Sequence, residues 1–253
     1  MKCIKSIIYK YRLKKRKISK LNGKHKTKKI IIISLFIIFS IISYIYPKNE
    51  SNNLKLAICT LVRKENLYIN EFIDYYIKLG FDHIYIYDIN RPNTERISDV
   101  INEKYEDYIT IYENISNYIP NQKIGYTHCY KNNKNKYDWI FMIDIDEYLV
   151  IKKNLIIKRN TLKEYLSAKV FNKCDFIKIH WVQPTDNNLL HYEARPLLER
   201  FKGPYFEDTH IKTLVRRGIK NLIYDIHSPS SFPKNCIICN NAGKLLKFDK
   251  KIT

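Results

Sequence analysis

Glycine is scarce in this chain, 6 in 253 residues, and no glycine-rich loop follows any apolar run. That excludes collagen-like sequences and the P-loop and dinucleotide folds, which need clustered glycines to bring backbone N–H groups against phosphate. Six cysteines are too few to staple a chain of this length as a miniature disulfide scaffold. Acids are in the minority, 25 Asp and Glu against 45 Lys and Arg, which leaves a net charge of +20. Apolar residues are not lacking: they make up 45% of the chain, with 21 Tyr and 11 Phe. Wholesale disorder, which requires low hydrophobicity together with high charge, is therefore excluded. The length suits one medium domain plus appendages.

The shortage of acids is local. Residues 1–50 hold 14 Lys and Arg and a single acid, Glu50, whereas 51–253 hold 31 basic and 24 acidic residues. Behind the arm running from Lys2 to Lys29 comes Ile30–Tyr46, which has no charged residue and only Ser34, Ser40 and Ser43 as clearly polar members. As a helix these residues reach about 25 Å, slightly short of a ~30 Å hydrocarbon core but suited to a thinner bilayer of endoplasmic-reticulum type. A soluble core helix would show a polar face, and this segment has none. The basic arm has two readings, a nucleic-acid-binding tail or the cytosolic flank of a membrane span. Adjacency to the span favours the second, and no nucleic-acid partner is expected. Ser43–Tyr46 offers no small-residue cleavage site, so a signal anchor is expected rather than a cleaved leader. The organisation expected is an arm over 1–29, an anchor over 30–46, a short stem over 47–53 and one domain over 54–253.

Within the domain, Leu54–Thr60 predicts a buried first strand. Ile69, Phe72, Ile73, Tyr76 and Ile77 recur at helical spacing, with Gly80 as the stop. His83–Tyr87 predicts a second strand, Glu95–Tyr105 a helix, Tyr108–Tyr112 a third strand, Gln122–Asn135 a helix and Trp139–Ile143 a fourth strand. Strands alternating with helices predict an α/β fold with a mainly parallel sheet and crossover helices. Beyond Val150 the pattern loosens into a helix over Leu162–Val170 and strands at Phe176–Trp181, Lys212–Val215 and Leu222–Ile226.

The sharpest chemical signal is Asp144-Ile145-Asp146-Glu147, directly after the apolar run Trp139–Ile143. Ligand sites in open parallel sheets gather at the carboxyl ends of the strands, where these acids fall. Three carboxylates in four residues repel one another, and a hard divalent cation relieves that cost. Mg²⁺ or Mn²⁺ also bridges carboxylate to phosphate, so the pattern suits a diphosphate-bearing substrate. The alternative is a solvated acidic turn at a strand end.

From Ala57 to Val150 the sequence resembles the family 92 glycosyltransferases and related family-2-like enzymes. The matching pieces are CTLVRKE (Cys59–Glu65), FIDYYIKLGFDHIYIYD (Phe72–Asp88), Gln122 with HCY (His128–Tyr130) and WIFMIDIDEYLV (Trp139–Val150). LLERF (Leu197–Phe201), KTLVRR (Lys212–Arg217) and IHSP (Ile226–Pro229) are later, fainter echoes. The resemblance implies a GT-A fold, a nucleotide-sugar donor such as a UDP-sugar, Mn²⁺ or Mg²⁺, and a single-pass type II protein of the Golgi or endoplasmic-reticulum membrane. Asp144 and Asp146 match the family's Asp-x-Asp, the second holding metal and the first supporting ribose and metal. Arg63 and Glu65 match its Arg-Asn-Glu pattern, with Lys64 in place of Asn. Asp88 is expected near uracil and ribose, or else as the start of a turn. Gln122 and Lys212 are further donor-side candidates, and His227 is the candidate that completes the metal shell.

A departing nucleotide diphosphate develops negative charge, which a cation and a nearby Lys or Arg stabilise. In an inverting displacement a carboxylate takes the proton of the acceptor hydroxyl, and Asp186 and Glu199 are the candidates for that base. The acceptor class implied is a glycan or glycoprotein. Trp181 is either a sugar platform or a core residue. Cys59, Cys129, Cys174, Cys236 and Cys239 follow the anchor, an odd number that leaves at least one unpaired. Cys236-x-x-Cys239 has no second pair to complete a zinc site. Asn49 and Asn114 begin glycosylation sequons, the first too near the membrane to be favoured. The rival reading is a tethered module with this fold but no turnover, suggested by Lys64, by the faint second half and by the lack of the family's later His-containing segment before Thr253.

Overall fold

The computed structural model of the protein describes residues 53–246, apart from 92, 116, 152–160, 187, 190 and 192. The chain divides into the units Met1–Asn49 and Glu50–Thr253. The basic arm and the anchor expected over 30–46 lie outside the described residues. Among the described residues no helix is long and apolar enough to cross a membrane.

The first strand, β1 (Leu56–Val62), is buried along its whole length. Leu56, Ile58 and Val62 enter one apolar cluster, while Ala57, Cys59 and Leu61 enter another on the opposite face. A strand covered on both faces reads as a continuous apolar run, as this one does. Helix α1 (Ile69–Leu79) buries Ile69, Phe72, Ile73 and Tyr76 against the first cluster. Gly80 ends it at φ 107°, a left-handed conformation that costs glycine little. Strand β2 (His83–Asp88) follows.

The helix expected over Glu95–Tyr105 is instead a short α2 (Ile97–Val100) followed by a 3₁₀ turn over Glu103–Tyr108. Ile101 and Asn102 are extended between them, and the Asn102 side chain caps the second turn by accepting from the Lys104 N–H. Strand β3 (Ile109–Tyr112) leads to α3 (Gln122–Asn133), which starts where Asn121 accepts from the Ile124 N–H at 3.1 Å. Strand β4 (Trp139–Met142) is fully buried. Helix α4 (Leu162–Leu166) stops short of the expected Val170, because Ala168 is extended and Lys169–Phe171 forms a separate 3₁₀ turn.

The last part comprises β5 (Phe176–Pro184), α5 (Leu197–Arg200), β6 (Tyr205–Arg216) and β7 (Ile238–Asn240). Strand β6 is three times the length expected from Lys212–Val215, since pairing with β5 carries it through a polar stretch that has no apolar pattern of its own. The strand expected at Leu222–Ile226 does not form. Tyr224 makes one isolated bridge to Pro229, and its N–H donates to Thr127 Oγ1 at 2.9 Å. The alternation there packs Leu222 and Tyr224 beside α3 without joining the sheet.

The strands form one seven-stranded sheet in the order β3-β2-β1-β4-β6-β5-β7. The first four are mutually parallel, β6 runs against them, and β5 and β7 run parallel to each other and against β6. Two disulfides tie the layers: Cys59–Cys129 joins β1 to α3, and Cys174–Cys239 joins the approach to β5 with β7. Cys236 is free, and with Cys239 already bonded the Cys-x-x-Cys pair is not a zinc half-site. The chain leaves β1 toward β2 and β3 on one side, then returns over α3 to β4 on the other. Such a reversal opens a crevice beyond the carboxyl ends of the two central strands.

Candidate active site

A cleft of about 370 Å³ lies at that crevice, lined by Leu61 near the end of β1, Arg63 and Glu65 after it, Asn121 and Gln122 at the start of α3, and Asp144 and Asp146 after β4. This volume is in the range of small-molecule sites. Five sequence-predicted residues meet there: Arg63, Glu65, Gln122, Asp144 and Asp146. The loop after β1 is pinned from two sides. The Arg63 N–H donates to Glu65 Oε2 at 3.3 Å, and the Lys64 N–H donates to Asn90 Oδ1 at 2.7 Å.

Asp144 is the most heavily bonded of the group. Its Oδ1 accepts from Gln122 Nε2 and from the Tyr126 hydroxyl, each at 2.7 Å, and its Oδ2 accepts from Lys212 Nζ at 2.8 Å. Lys212 is 2% exposed and also lies 3.4 Å from Glu147 Oε2. Glu147 closes the turn by accepting from the Asp144 N–H at 3.2 Å, while its Oε1 is buried without a hydrogen-bond partner. Loss of water, opposed by Lys212 and reinforced by the Asp144 charge, pushes the Glu147 carboxyl up to about 8.

Asp146 is an exposed residue, yet the cleft walls withdraw enough water from its carboxyl to raise its pKa, and the Asp144 charge raises it further. Glu65 is raised in the same way, by burial first and then by the charges of Asp146 and Asp144. Carboxylates with raised pKa values around one crevice are a donor set that gains by taking a hard cation. Among the described residues no three His, Cys, Asp or Glu side chains are already gathered as a ligand cluster.

The other predicted residues lie outside the cleft lining. Asp88 is 3% exposed and spends both oxygens on backbone amides, those of Asn90 at 2.8 Å and Ile97 at 2.9 Å. That is the turn-forming role. His227 lies beyond Lys212, its ring 5.3 Å from Trp181 and 4.9 Å from His210. Its Nδ1 is buried without a partner, and burial, then the neighbouring Lys212 and His210, lower its pKa. Trp181 is packed rather than open: His210 lies 5.2 Å from its ring and Lys212 Nζ lies 5.5 Å from the ring centre. Asp186 and Glu199 are exposed, the first in a loop where it accepts from the Asn188 N–H, the second in α5.

Sequence reasoning missed Tyr126. The signal was present, because Tyr126 follows Gln122 by four residues and so shares its helix face. Gly125 beside it has a packing reason: a Cβ there would come within 2.7 Å of both Leu61 methyl carbons, so glycine lets α3 close on β1.

The family model of glycosyltransferase family 92 matches residues 53–240. A glycosyltransferase family 92 protein of Oryza sativa subsp. japonica is 27% identical over 94 residues, 37% of this chain and 16% of that protein. A family 92 protein of Ricinus communis is 26% identical over 94 residues, 37% of this chain and 17% of that protein. One of Arabidopsis thaliana is 27% identical over 108 residues, 41% of this chain and 18% of that protein. The aligned region thus spans less than a fifth of each of these relatives.

Proposed function

This chain belongs to glycosyltransferase family 92, and on that premise we propose that it transfers a hexose or related sugar from a nucleotide-sugar donor, a UDP-sugar, to a glycan or glycoprotein acceptor. The observation that carries the reading is the meeting of Arg63, Glu65, Gln122, Asp144 and Asp146 in one cleft where the sheet topology reverses. The Arg63 guanidinium supplies positive charge for a diphosphate, and Gln122 at the start of α3 supplies a polar contact. Asp146, with Glu65 and Asp144 nearby, offers the hard oxygen ligands that Mn²⁺ or Mg²⁺ takes. When bound, such a cation neutralises charge on the diphosphate leaving group. The acceptor hydroxyl attacks the anomeric carbon with inversion, and Asp186 or Glu199 takes its proton.

The proposal extends to a type II protein anchored through residues 30–46 in the Golgi or endoplasmic-reticulum membrane, with the domain in the lumen. Two buried disulfides support an oxidising compartment, and the charge asymmetry around the anchor supports this orientation. The test is hydrolysis of a panel of nucleotide sugars by the full chain in detergent, with Mn²⁺ and with chelator. Turnover of one donor, lost on chelation and in Asp146→Asn, is the expected result. A folded chain that hydrolyses and binds none of them overturns the reading in favour of a non-catalytic module.

A further inference from the structure

Strands β5 and β6 run on together past the carboxyl end of β4. Strand β4 pairs only with Leu214–Arg216, whereas β5 stays paired with β6 as far as Pro184 and Tyr205. This two-stranded ribbon overhangs the end of the sheet at which the cleft opens. Its register breaks once. His180 faces Ile211 and Val182 faces Glu207, so Trp181 alone stands opposite Asp208, Thr209 and His210. Such a bulge re-aims the side chains it carries. Asp208 fixes the result by accepting from the His210 N–H at 2.8 Å, from His210 Nδ1 at 2.6 Å and from Gln183 Nε2 at 2.8 Å. These bonds, the His210 N–H foremost, hold the Asp208 carboxyl below its usual range. An ionised carboxylate only accepts, so the hydrogen sits on Nδ1, and in the neutral ring Nε2 carries the lone pair.

His210 is the most exposed of three rings in mutual contact, 5.2 Å from Trp181 and 4.9 Å from His227, which themselves lie 5.3 Å apart. Among the described residues its Nε2 has no hydrogen-bond partner. Trp181 Nε1 and His227 Nδ1 are buried and equally without one. A cluster of unpaired ring nitrogens suits a hydroxyl-bearing ligand, because a hydroxyl both donates and accepts. With His210 and Lys212 against its ring, Trp181 offers polar lining rather than a stacking face. Lys212 also joins the cluster to the cleft, 5.5 Å from the Trp181 ring centre and 2.8 Å from Asp144 Oδ2. We propose that this cluster is a subsite for a sugar unit of the acceptor, that His210 Nε2 accepts a hydrogen bond from one of its hydroxyls, and that Asp208 is the positioning residue that aims His210. The word acceptor rests on the glycosyltransferase reading above, whereas binding of a sugar at His210 does not. An exposed ring held in one orientation by a carboxylate loses little freedom when it binds, which is what a weakly held hydroxyl ligand requires.

The test uses the full chain in detergent. The acceptor probes are the methyl β-glycosides of galactose, glucose, mannose and N-acetylglucosamine, and the readout is glycoside-stimulated release of UDP from the donor that the chain turns over. His210→Phe keeps a ring and loses both nitrogens. It should raise the KM of the accepted glycoside at least about fivefold and move the KM of the UDP-sugar by less than about twofold. Asp208→Ala should raise the glycoside KM by a similar factor. Asp208→Asn, which keeps an accepting oxygen for His210, should return it to within about twofold of wild type. Once His210→Phe is in place, Asp208→Ala should add nothing. Saturation-transfer NMR with the same four glycosides, without donor and with chelator, reads binding alone, and its signal should weaken in His210→Phe.

An unchanged glycoside KM in His210→Phe overturns the subsite and leaves the transferase reading in place. A UDP-sugar KM that rises as far as the glycoside KM gives the cluster to the donor and overturns the acceptor assignment. An Asp208→Ala effect that persists beside His210→Phe overturns the positioning role. A wild-type chain that neither glycosylates nor binds any of the four glycosides overturns the subsite. A wild-type chain that turns over no donor overturns the transferase reading, while His210-dependent binding of a glycoside by saturation transfer still decides the sugar site.

Discussion

The Lys64 backbone N–H donates to Asn90 Oδ1 at 2.7 Å, and it does so with Lys64 at φ 65°. The loop after β1, which carries Arg63 and Glu65, is thereby tied to the loop after β2 through a residue in left-handed conformation. Asparagine tolerates that region better than lysine does. The one departure from the family's Arg-Asn-Glu pattern therefore falls where backbone conformation, rather than side-chain chemistry, favours Asn. Lys64→Asn should raise stability by about 0.5–1 kcal/mol, read as a higher urea midpoint at unchanged slope. A lower midpoint would show that the lysine side chain contributes more than its backbone strain costs.

Gly125→Ala tests the close approach of α3. The added Cβ meets Leu61 at 2.7 Å, and Leu61 is both buried and part of the cleft wall. Overpacking of this kind costs about 1–3 kcal/mol. Denaturant unfolding should show that loss, and UDP affinity measured by calorimetry should fall as Leu61 is pushed toward the cleft. A stability equal to wild type would mean that Leu61 changes rotamer freely.

Glu147 sets a pH dependence whose sign follows from its raised pKa. A carboxyl near 8 in the folded chain and near 4.3 when unfolded holds a proton in the native state that the unfolded state has released. Its contribution to stability is complete below about pH 4 and is lost as pH rises through about 8. In chelator the wild type should therefore lose on the order of 3–5 kcal/mol across that window from this group, whereas Glu147→Gln should not. Chemical denaturation at pH 5, 6.5 and 8 checks it. Parallel slopes for the two proteins would mean that Glu147 is already ionised in the folded state.

Reduction should weaken the fold at two places. Cys59–Cys129 and Cys174–Cys239 close separations of 70 and 65 residues, and loss of either should cost about 2–5 kcal/mol. Peptide mapping without reductant should recover these two linked pairs and an alkylated Cys236. In sealed microsomes, added protease should spare a fragment carrying both bonds. Its digestion there would overturn the luminal placement.

The sequence by itself determined the elements whose information is local. β1, α1, β2, β3, α3 and β4 follow from apolar runs, helical spacing and stop residues such as Gly80, and their alternation dictates a parallel sheet with crossover helices. The acids after β4 were legible because strand ends are where such a sheet gathers a ligand, whereas the Arg63–Glu65 pair was legible only through its resemblance to the family's Arg-Asn-Glu pattern. Tertiary structure decided what depends on partners distant in sequence. The polar half of β6 is a strand only because β5 pairs with it, and Leu222–Ile226, which has the alternation of a strand, packs Leu222 and Tyr224 beside α3 instead of joining the sheet. Which cysteines pair was likewise open until the fold brought β1 to α3 and the approach to β5 to β7. The same holds inside the site. Lys212 is 68 residues from Asp144 along the chain, and Tyr126 is 18 residues away. A carboxylate's role is set by which donors reach it, and that is a property of packing that no spacing of residues encodes.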